Sequence, residues 1–336
     1  MSCKGSRLFR FGRQAVENGL RFLFSVVFIF VYQQVFGAEN TLPGVAVSVA
    51  LTMYPTMDLG VRPLTMAGTI AGLFVAAGLV AQLALASPWL ALPCNLLFVL
   101  LIMLLTCEPE PFKPSVCFLL AFVFSQATPV PMERFPLRMA GLAAGGLLVA
   151  GVTLLEWHRR GFGRQGRSLT QQMRLSLEKP GLIVRMALGL SLAMFAGMVL
   201  HLRKPLWISI VVMSLTQLEF HETVARIKHR AAATILGIVI FVLLFRIALP
   251  EEYAILAVML FGYVGYFLPA YKYKQVINAI SALQASLVLL DTTEAVGGRV
   301  LCLLGGIAIV LILFFLQHLY RLLRSRLHSP AAPQQA

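Results

Sequence analysis

Apolar positions fall in twelve runs along this chain. Six lie at roughly 20–37, 42–55, 62–86, 88–106, 114–130 and 136–157. Six more lie at roughly 182–200, 206–218, 231–248, 253–269, 275–290 and 298–320. Most have the length and the low charge of helices that cross a bilayer, which needs roughly 20 residues. LPGVAVSVALTMY (42–54) and PLWISIVVMSLTQ (205–217) hold only about 13 residues each, too few to cross. Between the two sets lies the polar, basic stretch HRRGFGRQGRSLTQQMRLSLEKP (158–180). Its Leu169, Met173 and Leu177 recur every four residues, as on one face of a helix at a membrane surface. The pattern predicts an all-α integral membrane protein of about twelve transmembrane helices. They form two parallel six-helix repeats, with two of the helices short. The first repeat covers 1–157, a basic linker 158–180, the second repeat 181–322 and a tail 323–336.

The two sets share an order of residues. Arg21 with Arg185, Thr52 with Thr216, Asp58 with Glu222, and Arg62 with Arg226 keep one separation. One position further apart, Thr69 pairs with Thr234 and Gly72 with Gly237. Arg138 and Arg299 both precede a glycine pair, Gly145–Gly146 and Gly305–Gly306. Six spans is an even number, so the copies share one orientation, related by an axis along the membrane normal. Short segments at matching places in two halves are the best sequence pointer to a transport site.

Composition narrows the class. Of 336 residues, 59% are hydrophobic and only 12% charged, against about 25% charged in soluble domains. The net charge of +14 sits in short loops between apolar runs, not on a basic domain, so nucleic acid is excluded as a partner and membrane lipid is the solvent. With the N-terminus and the tail on the cytoplasmic side, most of the 28 Lys and Arg fall inside. Both termini are therefore expected to be cytoplasmic, in a multi-pass protein of a bacterial inner membrane. The first run reads as a retained span, since Phe36 breaks the small-residue rule for signal-peptide cleavage after Ala38. Cys3, Cys94, Cys107, Cys117 and Cys302 form no CxxC pair and no metal-ligand spacing with His. No nucleophile motif, phosphate loop or paired catalytic carboxylate lies in the spans, so an enzyme, a resident metal and a cofactor are not expected. Nothing reads as an ATPase either, so a transporter of this kind would need an ion gradient, such as a proton gradient, or a partner.

The candidate site follows from the breaks. A helix that stops inside the membrane must turn its polar end to protein or to a watery cavity. Thr52, Thr216, Gln217 and Glu219 stand at such ends. Arg226 and Arg230 are four apart on one helix face. With Arg62 they form an anion-collecting mouth, whose structural alternative is a pair of internal ion pairs, Asp58 with Arg62 and Glu222 with Arg226. Arg138 and Arg299 are candidates for guiding exit on the outer side. Glu219 is the candidate protonatable residue. Tyr263, Tyr266, Tyr271 and Tyr273 read as an interfacial belt, or more sharply as a platform for an aromatic substrate.

The stretch PLWISIVVMSLTQLEFHETVARIKHRAAATILG resembles the fusaric acid resistance protein-like superfamily, which includes bacterial exporters of aromatic carboxylic acids. The resemblance rests on Trp207, Glu222, Arg226, Arg230, Thr234 and Gly237. The first half matches more loosely, with Pro43 in the place of Trp207 and Met66 in the place of Arg230. The large cytoplasmic domains of the long exporters have no counterpart here, so the chain resembles a short, membrane-only branch. The resemblance implies export of small organic anions, possible pairing with a periplasmic membrane-fusion protein, and compatibility with an oligomer. A passive anion channel and a non-transporting scaffold for an efflux assembly are the alternatives.

Overall fold

The computed structural model of the chain describes residues 2–327, apart from Pro269 and Val288. The last part of the expected tail, 328–336, lies outside the described residues. Among those described, regular structure is helical and no strand forms. The first set of apolar runs becomes α1 (Ser2–Phe36), α2 (Thr41–Met53), α3 (Pro63–Ala84), α4 (Pro88–Thr106), α5 (Val116–Ala127) and α6 (Phe135–Arg160). The linker folds as α7 (Leu169–Ser176). The second set becomes α8 (Pro180–Val199), α9 (Leu206–Leu215), α10 (Phe220–Val242), α11 (Ala254–Gly265), α12 (Tyr271–Ser286) and α13 (Thr292–Leu327). A π-helical turn, Leu243–Ala248, prolongs α10.

Proline in the first turn starts α3, α4, α6 and α8, where its missing N–H deprives the helix of nothing. Gly161, at φ +73°, ends α6 in the left-handed conformation that suits glycine. Among the described residues, seven helices are long and apolar enough to cross a membrane. The sequence pattern led to an expectation of two short helices; α2, α5, α9, α11 and α12 all fall below spanning length. Loop residues and interfacial polar groups had extended their apolar runs, which hydropathy alone does not separate from helix.

The linker is built onto the membrane helices. A capping box starts α7: Ser168 Oγ accepts from the Gln171 backbone, and Gln171 Oε1 accepts from the Ser168 backbone. Gln172 donates to the Glu108 carbonyl (2.8 Å), and Lys179 pairs with Glu108 (2.6 Å). The face of α7 turned to the protein carries Gln172 and Ser176, not the leucines: Leu177 is exposed, and Leu169 and Met173 are half-buried. Val61 bridges Arg167 in parallel, tying the start of α3 to the linker.

Packing divides the molecule unevenly. One large core joins the first-half helices to α8, from Tyr32 and Val47 through Phe74, Phe118 and Phe122 to Leu182 and Leu190. There α3 lies along α6, and α4 along α8. Glycines permit the closest approaches: a Cβ on Gly145 would stand 2.7 Å from Val47, and one on Gly306 2.5 Å from Val211. The second half holds two smaller cores. α8, α9 and α13 share Trp207, Ile208, Val211 and Leu303. α10, α11, α12 and the start of α13 share Phe241, Phe245, Ile280 and Leu283. α10 packs on α12 and touches α9 and α13 little. A seam therefore runs between these two groups of helices, where the first half has solid packing.

Candidate functional site

The seam is lined by cations because of how α9 ends. A helix C-terminus presents carbonyls without partners and a partial negative charge. The last carbonyls of α9 cannot find water in a bilayer, so side chains must answer them. Thr216 donates to the Val212 carbonyl (2.9 Å), and Gln217 Nε2 donates to those of Ser214 (3.1 Å) and Thr216 (2.8 Å). Arg185, in the first turns of α8, donates to the carbonyls of Gln217 (2.9 Å) and Leu218 (2.8 Å) and to Gln317 Oε1. Arg226 reaches the Ser214 carbonyl at 3.4 Å. Arg230, 2% exposed, donates to Ser214 Oγ. Three arginines thus surround one helix end.

Arg226 keeps capacity beyond its one long bond and lines an open cavity. The Arg226 guanidinium lies 4.7 Å from the centre of the Tyr271 ring, and the Tyr271 hydroxyl donates to Ser214 Oγ at 3.5 Å. A cavity of about 380 Å³ opens here, lined by Lys113, Gln217, Glu222, Arg226, His229 and Tyr271 among others. Lys113 comes from the α4–α5 loop of the first half and donates to Gln217 Oε1 (2.5 Å). Its burial, and the charge of Arg226 beside it, hold its amine below the usual lysine range. Further along the seam, Arg299 is buried and stacks over Trp207, at the other end of α9 (5.2 Å). Arg299 and Arg230 are close enough for their charges to oppose each other.

The expected residues do not all meet. Thr216, Gln217, Arg226 and Arg230 gather at one place, and Arg299 stands at the far end of the same short helix. Arg62 stands at the linker instead: its N–H donates to the Arg167 carbonyl (3.1 Å), and its exposed side chain is not part of the cavity wall. Thr52 is exposed and back-bonds to the Val49 carbonyl. Glu219 caps the start of α10 on the other side of Gln217, in a groove with Arg185, and pairs with His221 (3.0 Å). Neither expected internal ion pair forms among the described residues. Asp58 accepts from the Gly60 N–H (2.9 Å) instead, because the chain there is a turn, not a helix.

Arg138 differs most. All five of its N–H donors are used inside the protein. Nε donates to Asn40 Oδ1 (2.8 Å). Nη1 donates to the carbonyls of Ser125 (2.8 Å) and Thr128 (2.6 Å). Nη2 donates to the Glu39 carbonyl (2.8 Å) and Thr128 Oγ1 (3.1 Å). No donor remains for a passing anion.

Ser214, Lys113 and Arg185 were not singled out from sequence as site residues. Arg185 carried a signal: a charge within an apolar span, at the same spacing as Arg21. Lys113 and Ser214 carried none, since their meeting with the α9 end depends on tertiary packing. Among the described residues no group of His, Cys, Asp and Glu could hold a metal.

Residues 192–313 match a family model, fusaric acid resistance protein-like, the family that the stretch at 205–237 resembles. The match runs from within α8 to within α13, and so contains α9, the basic start of α10 and Tyr271. No curated protein and no solved structure matches the chain.

Proposed function

We propose, from the fusaric acid resistance protein-like segment and the cation-lined seam inside it, that this chain exports small organic anions, aromatic carboxylates among them. In this reading twelve helices form two parallel six-helix repeats in a bacterial inner membrane. The linker and both termini face the cytoplasm, and a periplasmic membrane-fusion protein receives the substrate on the other side. The observation that carries the reading is the cluster at the end of α9. Arg226 and Arg230 stand about 6 Å apart along α10, beside a cavity, in a setting where lipid and protein strengthen their pull on a carboxylate. Lys113 adds a third cation at the mouth. Tyr271, already under Arg226, offers a ring to an aromatic substrate. Arg299 over Trp207 is the next cation along the seam. Arg62 and Thr52 take an outlying part, and Arg138 holds the fold at the exit side.

A passive anion channel is the second reading. It is favoured by the position of Glu219, which faces the other groove and is paired with His221, away from the arginines. Glu222 lines the cavity and is the better-placed proton carrier if export is coupled.

The test is uptake of radiolabelled 4-hydroxybenzoate into inverted vesicles, wild type beside Arg230→Met. The substitution places in α10 the residue that stands at the matching position of the first half. Uptake should fall at least about tenfold, roughly 1.4 kcal/mol of lost interaction, with the protein still folded. Equal uptake by the two proteins removes the seam as the pathway. Uptake that ignores an imposed pH gradient selects the channel.

A further inference from the structure

A void of about 940 Å³ lies outside the seam. It is a groove between α13 on one side and the start of α8 and the Leu218–His221 turn on the other. Its α13 wall changes character along its length. Leu311, Phe314 and Phe315 come first, then His318, then Arg321 at the linker end. These residues recur every three or four positions and so share one helix face. The groove is thus apolar for most of about 15 Å and basic at its mouth.

Its floor is Arg185, 5% exposed, whose Nε is buried without a hydrogen-bond partner although its other nitrogens are engaged. Arg321 stands close enough to oppose the charge of Arg185, and no ion pair of Arg321 forms among the described residues. The groove's carboxylate, Glu219, is paired with His221. Both guanidinium groups line this groove, and that of Arg185 also lies 4.1 Å from the centre of the Phe314 ring. Phe315 and Leu311 are exposed along the wall below. Two arginines with no carboxylate ion-paired to either among the described residues, above an apolar channel at the edge of a membrane, complement a molecule with a negative head and a hydrocarbon tail.

We propose that this groove binds one anionic phospholipid. Its phosphate lies between Arg321 and Arg185, within reach of His318, and an acyl chain lies along Phe314, Phe315 and Leu311. Bound there, the lipid braces the turn at 216–219 from the side opposite the arginines of the seam. The site is separate from the transport reading and does not depend on it.

Native mass spectrometry of the full chain in mild detergent tests this, with phosphatidylglycerol and phosphatidylcholine added in turn. Wild type should retain one phosphatidylglycerol at least about tenfold more tightly than phosphatidylcholine. Arg321→Gln, at an exposed helix end, should abolish the preference. Leu311→Trp, which fills the channel, should weaken both lipids. Arg159→Gln removes an exposed linker-end charge that pairs with Glu156 and should change nothing. Equal binding of the two lipids, an unaltered preference in Arg321→Gln, or an equal loss in Arg159→Gln each overturns the proposal. So does a dimer of this chain that Leu311→Trp disperses, since a second copy then fills the groove.

Discussion

Two short helices end inside this protein, and different chemistry closes each end. At the end of α2 the donors are neutral and aromatic. Trp157 Nε1 donates to the Tyr54 carbonyl (3.0 Å), and the Tyr54 hydroxyl donates to the Pro114 carbonyl (2.7 Å). Tyr54, Trp157, Phe74 and Phe118 are fully buried around it. At the end of α9, Arg185, Arg226 and Arg230 join the neutral donors Thr216 and Gln217, and a cavity adjoins Arg226 and Gln217. The starts of the two helices differ in the opposite sense. Arg138, by the start of α2, has every donor bonded, whereas Arg299, by the start of α9, rests on a ring. One half meets the same geometric problem with neutral groups in a sealed core, the other with the buried Arg185 and Arg230 and the half-buried Arg226, which borders a cavity. A broken helix is therefore no sign of a transport site by itself; what closes it decides.

The comparison breaks hardest at the paired arginines. Arg138→Ala strands buried acceptors from Asn40, Ser125, Thr128 and Glu39, and should cost about 3–5 kcal/mol. Arg299→Ala gives up one ring contact and should cost about 1 kcal/mol. Melting followed by size exclusion in detergent reads both, and similar losses would erase the distinction between the halves. Met66→Arg sets a charge, with no acceptor provided for it, at a position 3% exposed. It should destabilise by about 3 kcal/mol, while Arg230 is tolerated in the second half. Trp157→Phe deletes one hydrogen bond to the Tyr54 carbonyl, for about 1 kcal/mol, and should leave anion uptake unchanged.

The smallest effect concerns Lys113, the first-half residue that enters the second-half cavity. Its amine is held below 10.5 by burial first and by Arg226 next. The folded protein therefore disfavours its charge more than the unfolded chain does. That penalty is present below the folded pKa and is relieved as pH rises toward 10.5. The melting temperature of wild type should rise relative to Lys113→Gln as pH climbs toward that value. A difference that stays flat with pH would show Lys113 to be as hydrated as a surface lysine.

Much of the architecture was legible because membrane helices announce themselves by length and charge. The linker at 158–180, the breaks near 54 and 217, and the cluster of Arg226 and Arg230 came from the apolar pattern and from helix spacing. What the pattern hid was how tightly each half packs. Arg138 and Arg299 look equivalent in sequence, since both precede a glycine pair at the head of a long span. Their difference lies in Glu39 and Asn40 before α2 and Thr128 at the end of α5, which reach Arg138 from two separate segments. Asp58 and Arg62 stand four apart like a helical ion pair, but Gly60 between them, at φ +63°, makes the segment a turn. The Lys113 bond to Gln217 joins positions far apart in the chain, where no periodicity speaks.

The double attachment of α8 sets what can move. It lies in the large core against α4, and through Arg185 it grips the end of α9, while α9 packs on α13. These three helices are therefore joined to the first half as one stationary frame. α10, α11 and α12 keep their own small core, meet that frame along the seam, and are tied to α1 on the other side, where Tyr263 donates to the Ala15 carbonyl and Phe22 packs on Tyr263 and Tyr266. For the seam to open, Arg226, Arg230 and Tyr271 would have to part from Ser214 and Trp207, and the α1 contacts of α11 would have to yield or travel with them. The molecule is lopsided: one large core on one side of the seam, a small one on the other.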